Sequence, residues 1–261
     1  MTGRILLRLS PIAIVLVAAA CGGGGGSGAG TTSPTTQPAT TAPTTTTPAP
    51  PTRLTVYFLL NGNVQPVARV VPHTAAVASE AFLALQLGPR PDEKAAGLTS
   101  DVPRLGSQMT STPTTLSLKT DRPLSPAALA QTVYTLTQFP GRSQVEVDGK
   151  TYSRADFEGV TPAILVESPL PFAAVSSPLR ATGTANTFEA TFDYELADQN
   201  GNVIAKNFVT ATSGSGVRGT FDVSIPFGVP NQGPGKLTVF EVSAKDGSRI
   251  HQVTIPLTLE P

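Results

Sequence analysis

The chain has 261 residues, 39% of them hydrophobic, with 18 Lys plus Arg against 18 Asp plus Glu and a single cysteine. A formal charge of zero offers no basic field to gather a phosphate backbone, so nucleic acid is excluded as a partner class. Cys21 alone excludes an internal disulfide, and with only His73 and His251, far apart, neither a metal centre nor a redox cofactor is expected.

Residues 1–20 have the three-part layout of a secretory signal: Arg4 and Arg8, then an apolar stretch through Ile12 and Val17, then Ala18, Ala19 and Ala20. The apolar run from Pro11 to Ala20 is ten residues, well under the roughly twenty that span a hydrocarbon core. Val17-Ala18-Ala19-Ala20-Cys21 resembles the lipobox of bacterial lipoproteins, with Ala18 where that family prefers Leu. The resemblance implies a lipid on the Cys21 thiol, attachment to the membrane through it, and residence on the extracytoplasmic face of the cell membrane. An ordinary signal peptide cut after Ala20, leaving a free thiol, is the alternative.

Residues 21–52 read as a tether. Thr31 to Thr52 carries eleven Thr and six Pro with no charge and no aromatic, so it lacks the apolar surface that offsets the entropy of ordering. A Pro-rich stretch of this kind extends at about 3.1 Å per residue, either as an unmodified spacer or as an O-glycosylated stalk.

Residues 53–150 show mixed periodicity. Leu54-Thr55-Val56-Tyr57-Phe58-Leu59-Leu60 ends in the turn pair Asn61-Gly62, and Val67-Ala68-Arg69-Val70-Val71 follows, which predicts a strand pair. Thr74 is placed to cap a helix with Val77, Ala78, Ala81, Phe82 and Leu85 inward and Gly88-Pro89 as its stop. Residues 109–119 alternate as one or two short strands. Ser125-Pro126 opens a second helix with Leu129, Val133 and Leu136 on one face, and Val145-Glu146-Val147 is a last strand closed by Asp148-Gly149. The order predicts an α+β domain, a small sheet with two helices on one face.

In residues 151–261 the helical period gives way to seven extended runs: 164–166, 179–182, 188–196, 203–210, 220–227, 237–243 and 251–259. Turn residues separate them at 198–202, 231–235 and 246–247. Phe188, Ala190, Phe192 and Tyr194 fall on one face of their strand, opposite Glu189, Thr191, Asp193 and Glu195. An all-β, immunoglobulin-like sandwich is expected.

Catalytic chemistry finds little purchase. Gly214-Ser215-Gly216-Val217-Arg218-Gly219 fits the dinucleotide pattern in letters, but a strand rather than a helix is predicted after it, so a glycine-rich hairpin loop is expected. Asp198-Gln199-Asn200-Gly201 is only partly like a calcium loop and reads as a solvated turn. The carboxylates Asp92 and Glu93, Glu146 and Asp148, Asp156 and Glu158, and Asp193 and Glu195 would suit glycoside hydrolysis only if held about 5 to 10 Å apart across a cleft. On strands and turns they read as wet faces. The segments differ in charge, with nine bases and seven acids over 53–150 and seven against eleven over 151–261. Arg outnumbers Lys twelve to six, a composition typical of high-GC bacteria such as actinobacteria.

Val56-Tyr57-Phe58, Pro66 to Val71, Leu87-Gly88-Pro89, Gly97-Leu98-Thr99-Ser100-Asp101-Val102-Pro103, Gln131 to Pro140 and Val147-Asp148-Gly149 together resemble the GerMN domain. Ile164 to Pro169, Val175 to Leu179, Gly183 to Ala190, Gly219-Thr220-Phe221 and Ala244-Lys245-Asp246-Gly247 resemble Gmad2, the immunoglobulin-like domain often beside it. The resemblance implies a non-catalytic module of sporulation, germination and envelope lipoproteins, with envelope proteins or peptidoglycan as partners and self-association through the GerMN-like domain. Because distant residues can converge in space, a peptidoglycan hydrolase, or a regulator of one, is the alternative from a different class. A solute-binding lipoprotein is a third, disfavoured because the second segment reads as all β.

Overall fold

The structure, a computed structural model, describes residues 49–112 and 115–261. The expected signal, Cys21 and nearly all of the tether lie outside the described residues. In the first half, β1 (Thr52–Leu60) and β2 (Asn63–Val71) form a hairpin, followed by α1 (Val77–Leu87), α2 (Pro91–Ala95) and β3 (Leu98–Thr99). Next come β4 (Ser107–Ser111), β5 (Leu116–Thr120), α3 (Pro126–Leu136), β6 (Gln144–Val147) and β7 (Lys150–Ser153), then a 3-10 stretch over Arg154–Val160.

The hairpin turn uses positive φ at both central residues, 52° at Asn61 and 81° at Gly62, as the right-handed twist of the flanking strands requires. The turn joins Leu60 to Asn63, and that register pairs Tyr57 with Pro66 at a position where neither residue bonds across the ladder. Proline's missing N–H therefore leaves no gap. Tyr57 turns its own N–H the other way, toward α3, where Thr135 Oγ1 accepts it at 3.0 Å.

That bond is one of four. Gln131 Nε2 donates to the Tyr57 carbonyl at 3.1 Å. Gln138 Oε1 accepts the Thr55 N–H at 2.7 Å, and its Nε2 donates to the Thr55 carbonyl at 2.5 Å. Gln131 and Thr135 stand at i and i+4 on α3 and Gln138 lies just past its end, so the helix and its exit stand in for a neighbouring strand. This explains why Gln131 and Thr135, both polar, are fully buried.

The sequence predicted one small sheet with two helices on one face; the structure has two sheets, ordered β2-β1-β3 and β4-β5-β6-β7. α3 and the two-residue β3 take the edge of β1 opposite β2, and the later strands pair among themselves in a second sheet. Both sheets feed one core, in which Val56 and Phe58 meet Phe82 and Leu85 of α1, Val133 and Leu136 of α3, and Leu118 and Val145 of the second sheet.

Ser125 caps α3 as expected, its Oγ accepting the Ala128 N–H at 3.1 Å with Pro126 following. Thr74 does not cap α1. Its Oγ1 accepts the Ala76 N–H at 3.0 Å in a local turn, and the helix starts at Val77. The expected boundary at Lys150 also moves. Asp148 and Gly149, with φ of 51° and 83°, make a β6–β7 hairpin turn that carries the second of these sheets to Ser153, and Tyr152 and Phe157 pack on the first core.

The second half contains β8 (Ile164–Ser168), β9 (Ala174–Val175), β10 (Leu179–Ala185), β11 (Thr191–Ala197), β12 (Val203–Thr210), β13 (Gly219–Ile225), β14 (Gly233–Val242) and β15 (Arg249–Leu259). They form a three-stranded sheet, β13-β10-β8, and a five-stranded sheet, β12-β11-β14-β15-β9. Ile164, Ala181 and Phe221 of the first share a core with Phe192, Tyr194, Leu196, Leu237 and Ile255 of the second, as an immunoglobulin-like sandwich requires.

Two details depart from the sequence reading. Phe188 to Ala190 is a 3-10 turn with φ of 53° at Glu189 and 59° at Ala190, so Phe188 lies 60% exposed and the inward face of β11 is Phe192, Tyr194 and Leu196. Gly233 to Gly235, expected in a loop, begin β14. Residues 48–261 make one compact unit.

Candidate functional site at the junction of the two domains

The face of β1 turned away from the first core presents Tyr57 and Leu59. With Val64 of β2 and Ala130 and Tyr134 of α3, they enclose Leu165 of β8, so a second-domain residue is buried in a first-domain cluster. The rings of Tyr57 and Tyr134 lie 5.2 Å apart at a tilt of 48°.

Arg154 sits at the edge of this cluster. Its Nη1 reaches Glu167 Oε1 at 2.6 Å, and the Tyr57 hydroxyl donates to the same carboxylate oxygen. Nε donates to Thr137 Oγ1 at 2.8 Å, and the guanidinium lies 4.8 Å from the Tyr134 ring centre and 5.3 Å from that of Tyr57. Burial pushes the Tyr57 phenol far above its ordinary range, more strongly than Arg154 pulls it down. Burial opposes the charge on Arg154 too, but Tyr57 and Glu167 outweigh it and hold its pKa up. Tyr134 is likewise raised by burial and shares a 2.6 Å hydrogen bond with Thr161.

A second bridge grips the other end of the 3-10 stretch. Arg218 makes a forked pair with Glu158 at 2.8 and 2.9 Å and donates to the Pro162 carbonyl at 2.9 Å, while Asn186 donates to Glu158 at 2.8 Å. The Arg218 hydrogen bond, ahead of opposing desolvation, holds the Glu158 carboxyl below its usual range.

The glycine-rich loop serves this bridge. It is followed by β13, and a Cβ at Gly214 would lie 2.5 Å from the Thr187 carbonyl and one at Gly219 2.3 Å from the Ser213 nitrogen. Its glycines allow close backbone approach, and the loop presents Arg218.

The carboxylates singled out in the sequence do not converge on a reaction centre. Glu93 is buried in a forked pair with Arg69, both contacts 2.6 Å, while Glu195 pairs with Arg249 at 2.9 and 2.6 Å. Asp148 accepts from Thr120, Asp156 from Ser153, and Asp198 closes its turn through Asn200 and Asn202. His251 faces Glu241 at 2.8 Å; His73 is exposed. Among the described residues, no three His, Cys, Asp or Glu side chains are grouped to hold a metal ion. Cys21 lies outside the described residues. Sequence reasoning missed Tyr57, Arg154 and Glu167 as a group, because nothing local links residues so far apart in the chain.

Beside this junction runs a cleft of about 670 Å³ between the outer face of β1 and β2 and the segment 168–180, lined by Arg53, Thr55, Val70, Pro169, Phe172 and Arg180 among others. A second cavity of about 440 Å³ reaches Gln65, Val67 and Leu98 and shares Ala68, Pro171 and Phe172 with the first. Phe172 stands 67% exposed between them.

Comparison with known families gives both halves a relation. Residues 55–153 match a family model described as sporulation and spore germination. Residues 163–248 match the Gmad2 model, the immunoglobulin-like domain of bacterial spore germination. Two germination-type matches thus lie in tandem, on either side of the junction, and neither family is a known catalytic one.

No curated protein matches the chain. Among solved structures, CopC from Methylosinus trichosporium OB3b aligns at 14% identity and a TM-score of 0.26, covering 38% of this chain and 94% of its own. WR4, a C. elegans MSP family member, aligns at 16% and 0.22, covering 38% and 96%. Scores this low carry no argument about fold or function.

Proposed function

We propose that this protein is a lipid-anchored binding module on the extracytoplasmic face of the cell membrane, with a GerMN-like domain and a Gmad2 domain offering one joint surface to envelope proteins or peptidoglycan. The observation that carries the reading is the junction itself. Tyr57, Arg154 and Glu167, the buried or half-buried ionisable groups of the junction, are each engaged in bridging the domains, and Arg69, the buried ionisable group that lines the cleft of about 670 Å³, is tied to Glu93. A catalytic acid or base needs a proton it can exchange with substrate. Here the phenol is driven away from that range, and the carboxylate already accepts two bonds.

The tandem germination-type matches support the same reading. The Cys21 motif supports the anchor. Cell fractionation of a Cys21→Ala variant tests the anchor: the variant is expected in the soluble fraction, and retention in membranes overturns the lipid assignment. In-cell crosslinking with mass spectrometry tests the partner class, with envelope proteins or muropeptides expected. Muropeptide release from purified sacculi, lost on a single carboxylate substitution, would replace the reading with a hydrolase.

A further inference from the structure

We propose that the cleft between the β1–β2 face and the segment 168–180 binds an extended peptide bearing carboxylate side chains. The inference rests on the reading of the protein as a binding module and names the ligand class of one of its surfaces. The cleft volume of about 670 Å³ falls within the range of ligand-holding clefts, and domain interfaces are where such clefts occur.

Both walls are fixed before any ligand arrives. One is β1, held by the Gln131, Thr135 and Gln138 side chains; the other begins at Ser168, next to Glu167, which Arg154 and Tyr57 hold. A preformed cleft lowers the ordering cost of binding.

Charge selects the ligand. The lining includes Arg53, Arg69 and Arg180 and contains no Asp or Glu. Arg69 is tied to Glu93, and Arg180 is forked onto Asp222. Among the described residues Arg53 makes no ion pair, and its side chain is exposed, which leaves one planar guanidinium to fork onto a ligand carboxylate.

Shape selects an extended chain. Pro169, Pro171 and Pro178 line the cleft with Val70, and Phe172 stands exposed at its edge. Phe172 is held at φ 66°, a strained conformation for a bulky residue, by donation of its N–H to the Pro256 carbonyl at 2.6 Å. Extended and proline-containing peptides dock against ridges of this kind with few backbone bonds, taking specificity from rings and a flanking charge.

The test uses the full chain in neutral detergent and a fluorescent hexapeptide of alternating Glu and Pro, read by anisotropy. Arg53→Glu is expected to weaken binding at least tenfold, and Phe172→Ala several-fold, with both variants keeping the wild-type unfolding midpoint. Replacing every Glu of the peptide by Gln is expected to cost a similar factor, and added salt is expected to weaken the acidic peptide only. Equal binding of the Glu and Gln peptides, or indifference to both substitutions, overturns the proposal. Displacement of the peptide by equimolar inorganic phosphate, or by phosphatidylglycerol micelles, also overturns it, since the site would then read a phosphate group. If wild-type envelope crosslinks persist unchanged in Arg53→Glu, the cleft assignment fails and the binding-module reading stands; if the wild type yields none, that reading fails as well.

Discussion

Replacing Arg154 by alanine should loosen the domain junction. The guanidinium makes a charge-assisted bond to Glu167 and a neutral one to Thr137, and it stacks near two tyrosine rings. Such bonds contribute about 1.5 to 3 and about 1 kcal/mol, and each ring contact about 0.5 to 1. Arg154 and Glu167 each keep 26% side-chain exposure, so water restores part of what is lost. The contributions overlap, and a net loss of about 3 kcal/mol follows, near the lower end for breaking a buried pair. For a folded unit of this size that is a fall in Tm of roughly 6 to 12 °C. Urea unfolding of the detergent-solubilised chain, followed by far-UV circular dichroism, measures it. The expected signature is a lower midpoint and separation of one transition into two as the halves uncouple, with Arg154→Lys losing about half as much. A variant within about 0.5 kcal/mol of wild type and still unfolding in one step would refute the account of the junction.

Gly183 is a second sensitive point: a Cβ there would lie 2.0 Å from the Leu165 carbonyl and 2.9 Å from the Phe221 ring, so Gly183→Ala should destabilise by about 3 kcal/mol or more in the same urea assay. Thr135→Val removes the acceptor for the buried Tyr57 N–H at nearly constant volume and should cost about 1 to 3 kcal/mol by thermal melting. At alkaline pH the raised Tyr57 pKa has a definite sign: its stability contribution is complete below about pH 10, where the unfolded phenol is neutral, and declines as pH rises toward the folded pKa. Tyr57→Phe should therefore flatten the loss of stability above pH 10. Glu158 behaves oppositely: its lowered pKa supports folding above about pH 4.3 and loses that support as pH falls through the folded value, so Glu158→Gln should blunt the acid-side decline in an equilibrium titration.

How much of this was visible in the sequence depended on whether the cause was local. Ser125-Pro126 specifies a helix start through one side chain and one ring, and Asn61-Gly62 specifies a turn through two positive φ angles; both stand where the sequence put them. Phe188 followed the strand pattern in letters, yet the backbone reverses at Glu189 and Ala190, and Glu241, on β14, accepts the Phe188 N–H at 3.0 Å. No window around Phe188 contains that carboxylate. Gln131, Thr135 and Gln138 were hidden differently. Polar residues at helical spacing normally mark a solvated face, and only the open edge of β1, more than seventy residues earlier in the chain, turns that face inward. The Arg154–Glu167 bridge was hidden for another reason: both residues lie beyond a boundary that the sequence placed at Lys150, so nothing marked the stretch from Arg154 as packing on the first core.

The junction also bears on how the two halves work together. Domains joined in one chain ordinarily move against each other, because their interfaces are small and polar and the linker is free. Here the connector is gripped at both ends, Arg154 at its first residue by Glu167 and Glu158 near its last by Arg218, and only Thr161, Pro162 and Ala163 separate it from β8. Thr161 is tied to Tyr134, Pro162 to Arg218, and the Ala163 carbonyl accepts the Asn186 N–H at 2.7 Å, so no residue of the crossing can act as a hinge without breaking a named bond. Rotation of one domain would have to sever two ion pairs and withdraw Leu165 from its cluster at once. A partner that touches both domains therefore meets a surface whose two parts are already in register, and substitutions at Arg154 or Arg218 should weaken such a partner although neither residue need contact it.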